Sequence, residues 1–499
     1  MPPAAEPLDG FRVPDDFSFG VATAGYQIEG GFNGPGEPRN NWYEWERRKG
    51  IEPSGPACDS WNRYEEDLEL AQSTGVDTYR MGIEWARVQP SADNAEDEPP
   101  FDDDAVQHYA AIVTSARGRG IEPLLTLHHF THPRWLGLEF WQRPDSPRVF
   151  ERYVREIVGR LGDALAARKQ PPARRYVTLN EINIFGLVTW LLGAFPPGGT
   201  MQFRKTARAT DHLFAAHVLA YGAVHDIHEE RGWPSPEVTT NNYTMSVYEL
   251  DRALTDVLLA RARGVPRDEL PSYLAECRGA WHSTLRTIPG PSGVPAERFQ
   301  RTLSRLASPT RLPATTEALY AARRSRPLDA VAVDIYAPWA QGRFQRPGRP
   351  TAGGTERRPA RPLWDDPPMP GSFAGFVKAN VEPGLPLWVL ENGLCNRVRR
   401  GVSHPRVDGW TRPRYLKEHI AALAGAIREG APVAAYVHWS LLDNYEWGSY
   451  QPRFGLFGVV REEHLRRLRS DSMGEDAGGC YRRIVSALRS GEDVSGALR

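Results

Sequence analysis

Two glutamates in this 499-residue chain stand where a packed core would not place them. Glu391 follows the apolar run Leu387–Leu390 within LPLWVLENGL, with Asn392 and Gly393 as turn signals behind it. A short apolar run that stops at a turn is the pattern of a strand buried on both faces, and a carboxylate at its C-terminal end points to a rim where ligands bind. Glu181 ends a second such run, Tyr176–Leu179, directly after Asn180. Two carboxyl groups facing each other across a cleft can cleave a glycosidic bond. One protonates the leaving oxygen; the other attacks the anomeric carbon or activates water, according to whether the groups are about 5 Å or up to about 9.5 Å apart. The sequence leaves that separation open.

The two acids can meet only if their strands share a sheet. Eight strand-like runs are present: Phe17–Ala24, Asp77–Val88, Ile121–His129, Tyr176–Leu179, Val238–Tyr243, Asp329–Tyr336, Leu385–Leu390 and Val433–Leu442. Between them lie segments with helical spacing, Trp61–Thr74 closed by Gly75, Ala105–Arg119 closed by Gly120, Val149–Leu165, Ala207–Glu230, Leu250–Leu274 and His419–Arg428. Alternating strands and helices imply a parallel sheet, and eight such units predict an α/β fold of the (β/α)8 TIM-barrel class. Glu181 then ends the fourth strand and Glu391 the seventh, both at the C-terminal rim. Residues 1–499 read as one catalytic barrel domain, with a leader at 1–14, a Pro/Gly/Arg-rich loop at 341–371 and a C-terminal extension at 461–499. No GxGxxG follows the first strand, which weighs against a dinucleotide site.

Composition narrows the rest. A formal net charge of -1 gives no electrostatic case for nucleic acid or an anionic membrane. The N-terminus lacks the basic and apolar regions of a secretory signal, and no apolar run is long enough for a membrane span. Cys58, Cys277, Cys395 and Cys480 lie far apart with no CxxC spacing, so reduced thiols and a soluble, cytoplasmic protein are expected. His128 and His129 alternate on a strand and point to opposite faces, and no Glu or Cys stands at ligand spacing from them or from His132, so no metal or other cofactor is expected. His225 and His228 read as the exposed side of a helix.

Several stretches together resemble glycoside hydrolase family 1, the retaining β-glycosidases, from Phe17 to about Val459. They are Phe17–Gly31 (FSFGVATAGYQIEGG), Tyr79–Pro90 (YRMGIEWARVQP), Thr126–Leu136 (TLHHFTHPRWL), Thr178–Glu181 (TLNE), Leu390–Gly393 (LENG), Trp439–Trp447 (WSLLDNYEW) and Arg453–Leu456 (RFGL), in the family's order. The resemblance implies Glu391 as nucleophile, with Arg80 and Tyr336 lowering its pKa, and Glu181 as acid/base. It implies that Asn180 binds the sugar 2-hydroxyl and that Gln27, His129, Trp439, Glu446 and Trp447 hold the glycone. The substrate it implies is a small-molecule β-O-glycoside of gluco, fuco or galacto type. Family members that act on 6-phosphorylated sugars lack an acid at the Glu446 position, so an unphosphorylated glycone is expected. A transglycosylase serving a secondary-metabolite acceptor would use the same intermediate. A non-catalytic sugar-binding barrel is the alternative of another class, and the presence of both glutamates and Arg80 argues against it. Oligomeric state is open.

The pattern also departs from the family. Ile182 stands where proline is usual, and Asp334 where asparagine is usual, two residues before Tyr336. The 448–452 segment GSYQP is one residue short, and Val460-Arg461 replaces the usual acid. Cys395 reads as a packing residue. Together with the 341–371 loop, Asp334 points to an unusual aglycone.

Overall fold

The computed structural model describes residues 8–91, 98–290, 312–339 and 367–499, and in it the expected strands form a parallel barrel. Its strands are β1 (Ser18–Ala22), β2 (Thr78–Gly82), β3 (Glu122–Thr126), β4 (Arg175–Val177), β5 (Glu237–Thr239), β6 (Asn241–Tyr243), β7 (Val331–Asp334) and β8 (Leu387–Asn392). Two short strands, β9 (Asn396–Arg399) and β10 (Val402–His404), precede the last barrel strand, β11 (Val433–Trp439), and β12 (Pro452–Arg453) pairs with β9. The hydrogen-bonded order is β5-β4-β3-β2-β1-β11-β8-β7-β6. Because β5 and β6 are one run interrupted at Thr240, the two ends of that order are joined by the chain and the barrel closes.

Side-chain alternation divides the core in two. Ala22, Leu124, Val177, Ala332, Trp388, Leu390, Ala435 and Val437 fill the inside of the barrel. Their neighbours Tyr79, Met81, Leu125, Val389 and Tyr436 face the surrounding helices. The longest of these, Ser146–Ala167 and Phe203–Glu230, pack on each other outside β4 and β5. Capping fixes several helix starts: the Asp102, Thr411 and Asp476 side chains each accept a first-turn N–H.

The structure corrects some boundaries. The strand read as Asp77–Val88 ends at Gly82, and Trp85–Val88 is a helical turn that stacks the Trp85 ring on Tyr153 at 4.2 Å. The helix read as Leu250–Leu274 is broken between Ala253–Ala260 and Leu270–Leu285, where Gly264 has φ +76° and Pro266 follows. His228 is buried, and His225 is paired with Asp329, so neither belongs to an exposed face. Residues 341–366 of the Pro/Gly/Arg-rich loop lie outside the described residues; 367–369 lead into the helix Pro370–Ala379. The 461–499 segment carries the helix Ala477–Ser490, which follows the last barrel strand and docks on β1 through Tyr481, whose hydroxyl donates to the Gly20 carbonyl. Among the described residues no helix is long and apolar enough to cross a membrane.

Candidate active site

A local irregularity aims Glu391. On one side of β8, Val333 and Asp334 pair with Val389 and Glu391; on the other, Tyr436 and His438 pair with Val389 and Asn392. Strand β8 thus holds one residue more than either neighbour just before its end. Such a bulge re-aims side chains: Leu390 stays in the barrel interior, and Glu391 turns inward beside it. Gly393 then passes the Trp439 carbonyl so closely that a Cβ there would lie 1.8 Å from the oxygen. Space, rather than a positive φ, demands glycine at this position.

Arg80 on β2 is wholly buried, and three side chains accept hydrogen bonds from it. Its Nη1 donates to Glu391 Oε1 at 2.5 Å, its Nη2 to Asn180 Oδ1 at 2.5 Å and its Nε to Thr126 Oγ1 at 3.1 Å. Tyr336, just past β7, donates its hydroxyl to Glu391 Oε2 at 2.7 Å. Burial pushes the Glu391 carboxyl above its ordinary range, and Arg80 and Tyr336 pull it back. The phenol of Tyr336 is held protonated, first by burial and then by the Glu391 charge.

Glu181 follows β4 with a left-handed backbone (φ +42°, ψ +49°), which is uncommon for a residue with a Cβ. It precedes the short helix Ile182–Gly186, and Ile182 is a buried apolar residue there. The Glu181 and Glu391 carboxyl oxygens lie within 4.8 Å of each other and of an Asp334 oxygen. Burial, the facing Glu391 and then Asp334 raise the Glu181 carboxyl well above its usual range. Of the two glutamates, Glu181 is therefore the stronger holder of a proton.

The end of the cavity lined by His129, Trp439, Glu446 and Trp447 is polar and aromatic. The His129 ring is within 6 Å of both Trp439 and Trp447 and nearly parallel to each (5.9 and 5.8 Å between centroids). Burial and the Arg80 charge keep the His129 imidazole neutral, and its Nε2 faces Asn180 Nδ2 at 3.3 Å. Trp439 Nε1 donates to Glu446 Oε1 at 3.3 Å, and Gln27 is held by Asn444 and the Tyr445 carbonyl. Burial pushes the Glu446 carboxyl up to about 8. The cavity, of about 310 Å³, continues past Glu181 along a wall of Ile184, Leu187, Val188, Leu192, Ala194 and Phe195. Leu187 and Val188 of that wall come from a π-helical turn at Leu187–Leu191. Met245, Pro368 and Phe454 also line the cavity.

All ten residues named from the sequence gather at this one rim. A sequence model of glycosyl hydrolase family 1 matches residues 11–267 and 375–474. The chain belongs to that family. A β-glucosidase of Agrobacterium sp. is 28% identical over 497 residues, 96% of each chain. A 6-phospho-β-galactosidase of Streptococcus equi subsp. zooepidemicus is 27% identical over 91% of this chain and 95% of its own. The solved β-glucosidase of Thermotoga maritima, in complex with deoxynojirimycin, superposes with a TM-score of 0.65 at 24% identity, covering 96% of this chain and 99% of its own. The protein is thus a family 1 glycosidase, β-glucosidase-like, on a (β/α)8 barrel.

Within this family 1 site the sequence reading missed Asn241. Its Nδ2 donates to Asn180 Oδ1 at 2.8 Å and to Asp334 Oδ2, and its Oδ1 accepts from the Glu181 N–H at 3.4 Å. The only hint was polar: two asparagines interrupt an otherwise strand-like run, VTTNNY. The apolar wall was missed too, because it lies between the fourth strand and the Ala207–Glu230 helix, in a stretch whose pattern was assigned to neither. His128, by contrast, points away from the cavity and packs edge-on against Trp141, Phe150 and Phe185.

Proposed function

We propose that the protein is a retaining β-glycosidase that works by double displacement. Glu391 attacks the anomeric carbon while Glu181 protonates the departing oxygen. Water, deprotonated by Glu181, then releases the sugar from Glu391. The separation of the two carboxyl groups carries this reading: oxygens within 4.8 Å leave no room for a water between the second carboxylate and the anomeric carbon, as an inverting enzyme needs. The unequal settings of the two acids support it as well. Arg80 and Tyr336 favour the anion of Glu391, whereas Glu181 is set to keep its proton. Once Glu391 is esterified its charge is gone, and Glu181 loses one cause of its raised affinity for a proton, as a group that must next act as a base requires.

The glycone proposed is unphosphorylated. Arg406 is the sole Lys or Arg among the described residues lining the cavity, and its guanidinium is paired with Asp408. A sugar phosphate would meet Glu446 instead of a cation. The apolar wall favours an uncharged, apolar aglycone over a second sugar, since a sugar's hydroxyls would lose their hydrogen bonds against Leu187, Val188 and Phe195. The same wall, by limiting water near the anomeric centre, favours transfer to an alcohol acceptor as the second reading. Four unpaired cysteines support a reducing, cytoplasmic setting.

Proton NMR of the first-formed sugar tests the mechanism. A retaining enzyme releases the β-anomer, which then mutarotates; an α-anomer formed first would exclude the Glu391 ester. Product analysis with and without added alcohol separates hydrolysis from transfer.

A further inference from the structure

Asp334 ends β7 between β6 and β8, and it is a carboxylate where the family pattern has an amide. It is fully buried, and one of its oxygens lies within 4.8 Å of oxygens of both Glu181 and Glu391. Asn241 donates to Asp334 Oδ2, which fixes that oxygen as an acceptor, and Asp334 Oδ1 is buried with no hydrogen-bond partner among the described residues. Arg80, the nearest cation, gives its hydrogen bonds to Glu391, Asn180, Thr126 and the Leu390 carbonyl. Three carboxylates this close in a buried site cannot all be ionised, so a proton stays among them.

We propose that Asp334 is a positioning residue that shares the transferable proton of Glu181 and keeps this carboxyl a proton donor to higher pH than an asparagine would. The proposal rests on the glycosidase reading above. The charged and titratable groups around the pair are Glu391 from β8, Arg80 from β2, Tyr336 after β7 and neutral His129 behind Asn180; Asn241 contributes an amide from β6. Arg80 is the one cation among them.

The proton balance is direct. In the first half-reaction the Glu181 O–H breaks, its proton goes to the aglycone oxygen, and the bond from the anomeric carbon to that oxygen is replaced by one to Glu391. The carboxylate of Glu181 is then left beside Asp334. In the second half-reaction a water O–H breaks, Glu181 takes the proton, the hydroxyl bonds the anomeric carbon, and Glu391 leaves as carboxylate. Asp334 gives no proton to the substrate. Its charge makes Glu181 a stronger base in the second step and a more persistent acid in the first.

The test is the pH profile of Asp334→Asn. A neighbouring charge at this range typically moves a carboxyl by about 1 to 3 pH units, upward when the charge is like. For an alkyl β-glycoside, whose leaving group needs protonation, the alkaline limb of kcat/KM should therefore fall by about one unit or more. Asp334→Ser, which removes the charge with a different shape, should move the limb the same way. For a dinitrophenyl glycoside, whose departure needs no acid, the limb of kcat/KM should not follow. An alkaline limb that stays in place in both variants, with only KM altered, overturns the proposal while leaving the glycosidase reading intact. Absence of turnover in the unsubstituted protein would overturn both.

Discussion

The Arg80 guanidinium offers the sharpest energetic prediction. In Arg80→Met the side-chain volume is roughly kept, but Glu391 retains only the Tyr336 hydroxyl as a charge-stabilising partner. Breaking a buried ion pair from one side typically costs about 3–5 kcal/mol. Coulomb attraction gives the same order, about 4 kcal/mol at a separation of about 4 Å and an effective dielectric of about 20. That cost falls on the anion of Glu391 alone, and about 1.36 kcal/mol corresponds to one pH unit. The acid limb of kcat/KM should rise by about 2 to 3 units, and kcat/KM at pH values below the unsubstituted limb should fall about 10²- to 10³-fold. Arg80→Lys, which keeps a charge but loses the fork to Asn180 and Thr126, should shift the limb less. The assay is a pH series with an activated aryl glycoside, with the melting temperature and near-ultraviolet circular dichroism of each variant confirming its fold. An acid limb that does not move in a folded Arg80→Met protein would refute the assigned coupling between Arg80 and Glu391.

Other outcomes follow from the same geometry. Glu391→Gln should abolish turnover, and Glu181→Gln should cut kcat/KM by about 10² to 10⁴ for poor leaving groups while sparing dinitrophenyl glycosides; equal losses on both substrates would contradict the acid/base assignment. An unphosphorylated β-glucoside should be preferred over its 6-phosphate by at least about tenfold in kcat/KM above about pH 8, where Glu446 is ionised, and Glu446→Gln should narrow that gap, since one such charge is worth on the order of 1 kcal/mol. Phe195→Ala should lower kcat/KM for a glycoside with a bulky apolar aglycone by about 10-fold or more, as expected for losing about 1.5–3 kcal/mol of apolar contact, with little change for a methyl glycoside. Stability should fall as pH rises from about 7 to about 9, above the range in which the buried histidines titrate in the unfolded chain. Burial, aided at Glu84 by the neighbouring Glu29, lifts the Glu84 carboxyl to about 7, and burial lifts Glu446 to about 8, both from 4.5. Between those values the folded chain keeps protons that the unfolded chain has lost, so stability present below 4.5 is lost through 7 and 8. A melting temperature that climbs over this range in scanning calorimetry would contradict that sign.

Strand identity was legible because burial on both faces leaves an uninterrupted apolar run, and an acid at its end stands out. Glu181 and Glu391 were found that way, and the family motifs added Arg80, Tyr336 and the glycone residues. Legibility stopped where geometry depends on neighbours. The extra residue in β8 is invisible in LPLWVLENG, because a bulge is defined only against the strands beside it. The break at Thr240 that lets β5 and β6 pair with different strands is equally silent. Gly393 could be read as a turn glycine, yet its role is to clear the Trp439 carbonyl. His228 looked exposed by position on its helix, but the Trp233 ring and Tyr176 cover it. Asn241 and the Leu187–Leu191 turn acquire meaning only once the rim is assembled around Asn180 and Glu181.

The central claim is that Glu391 becomes covalently attached to sugar. Incubation with 2-deoxy-2-fluoro β-glycosides of gluco, galacto and fuco configuration, followed by intact-mass analysis and peptide mapping, tests it most directly. The account predicts one added fluoro-sugar per chain, located on Glu391, with activity lost in proportion. A label on another residue, or turnover of ordinary glycosides without any adduct from the three probes, would contradict it.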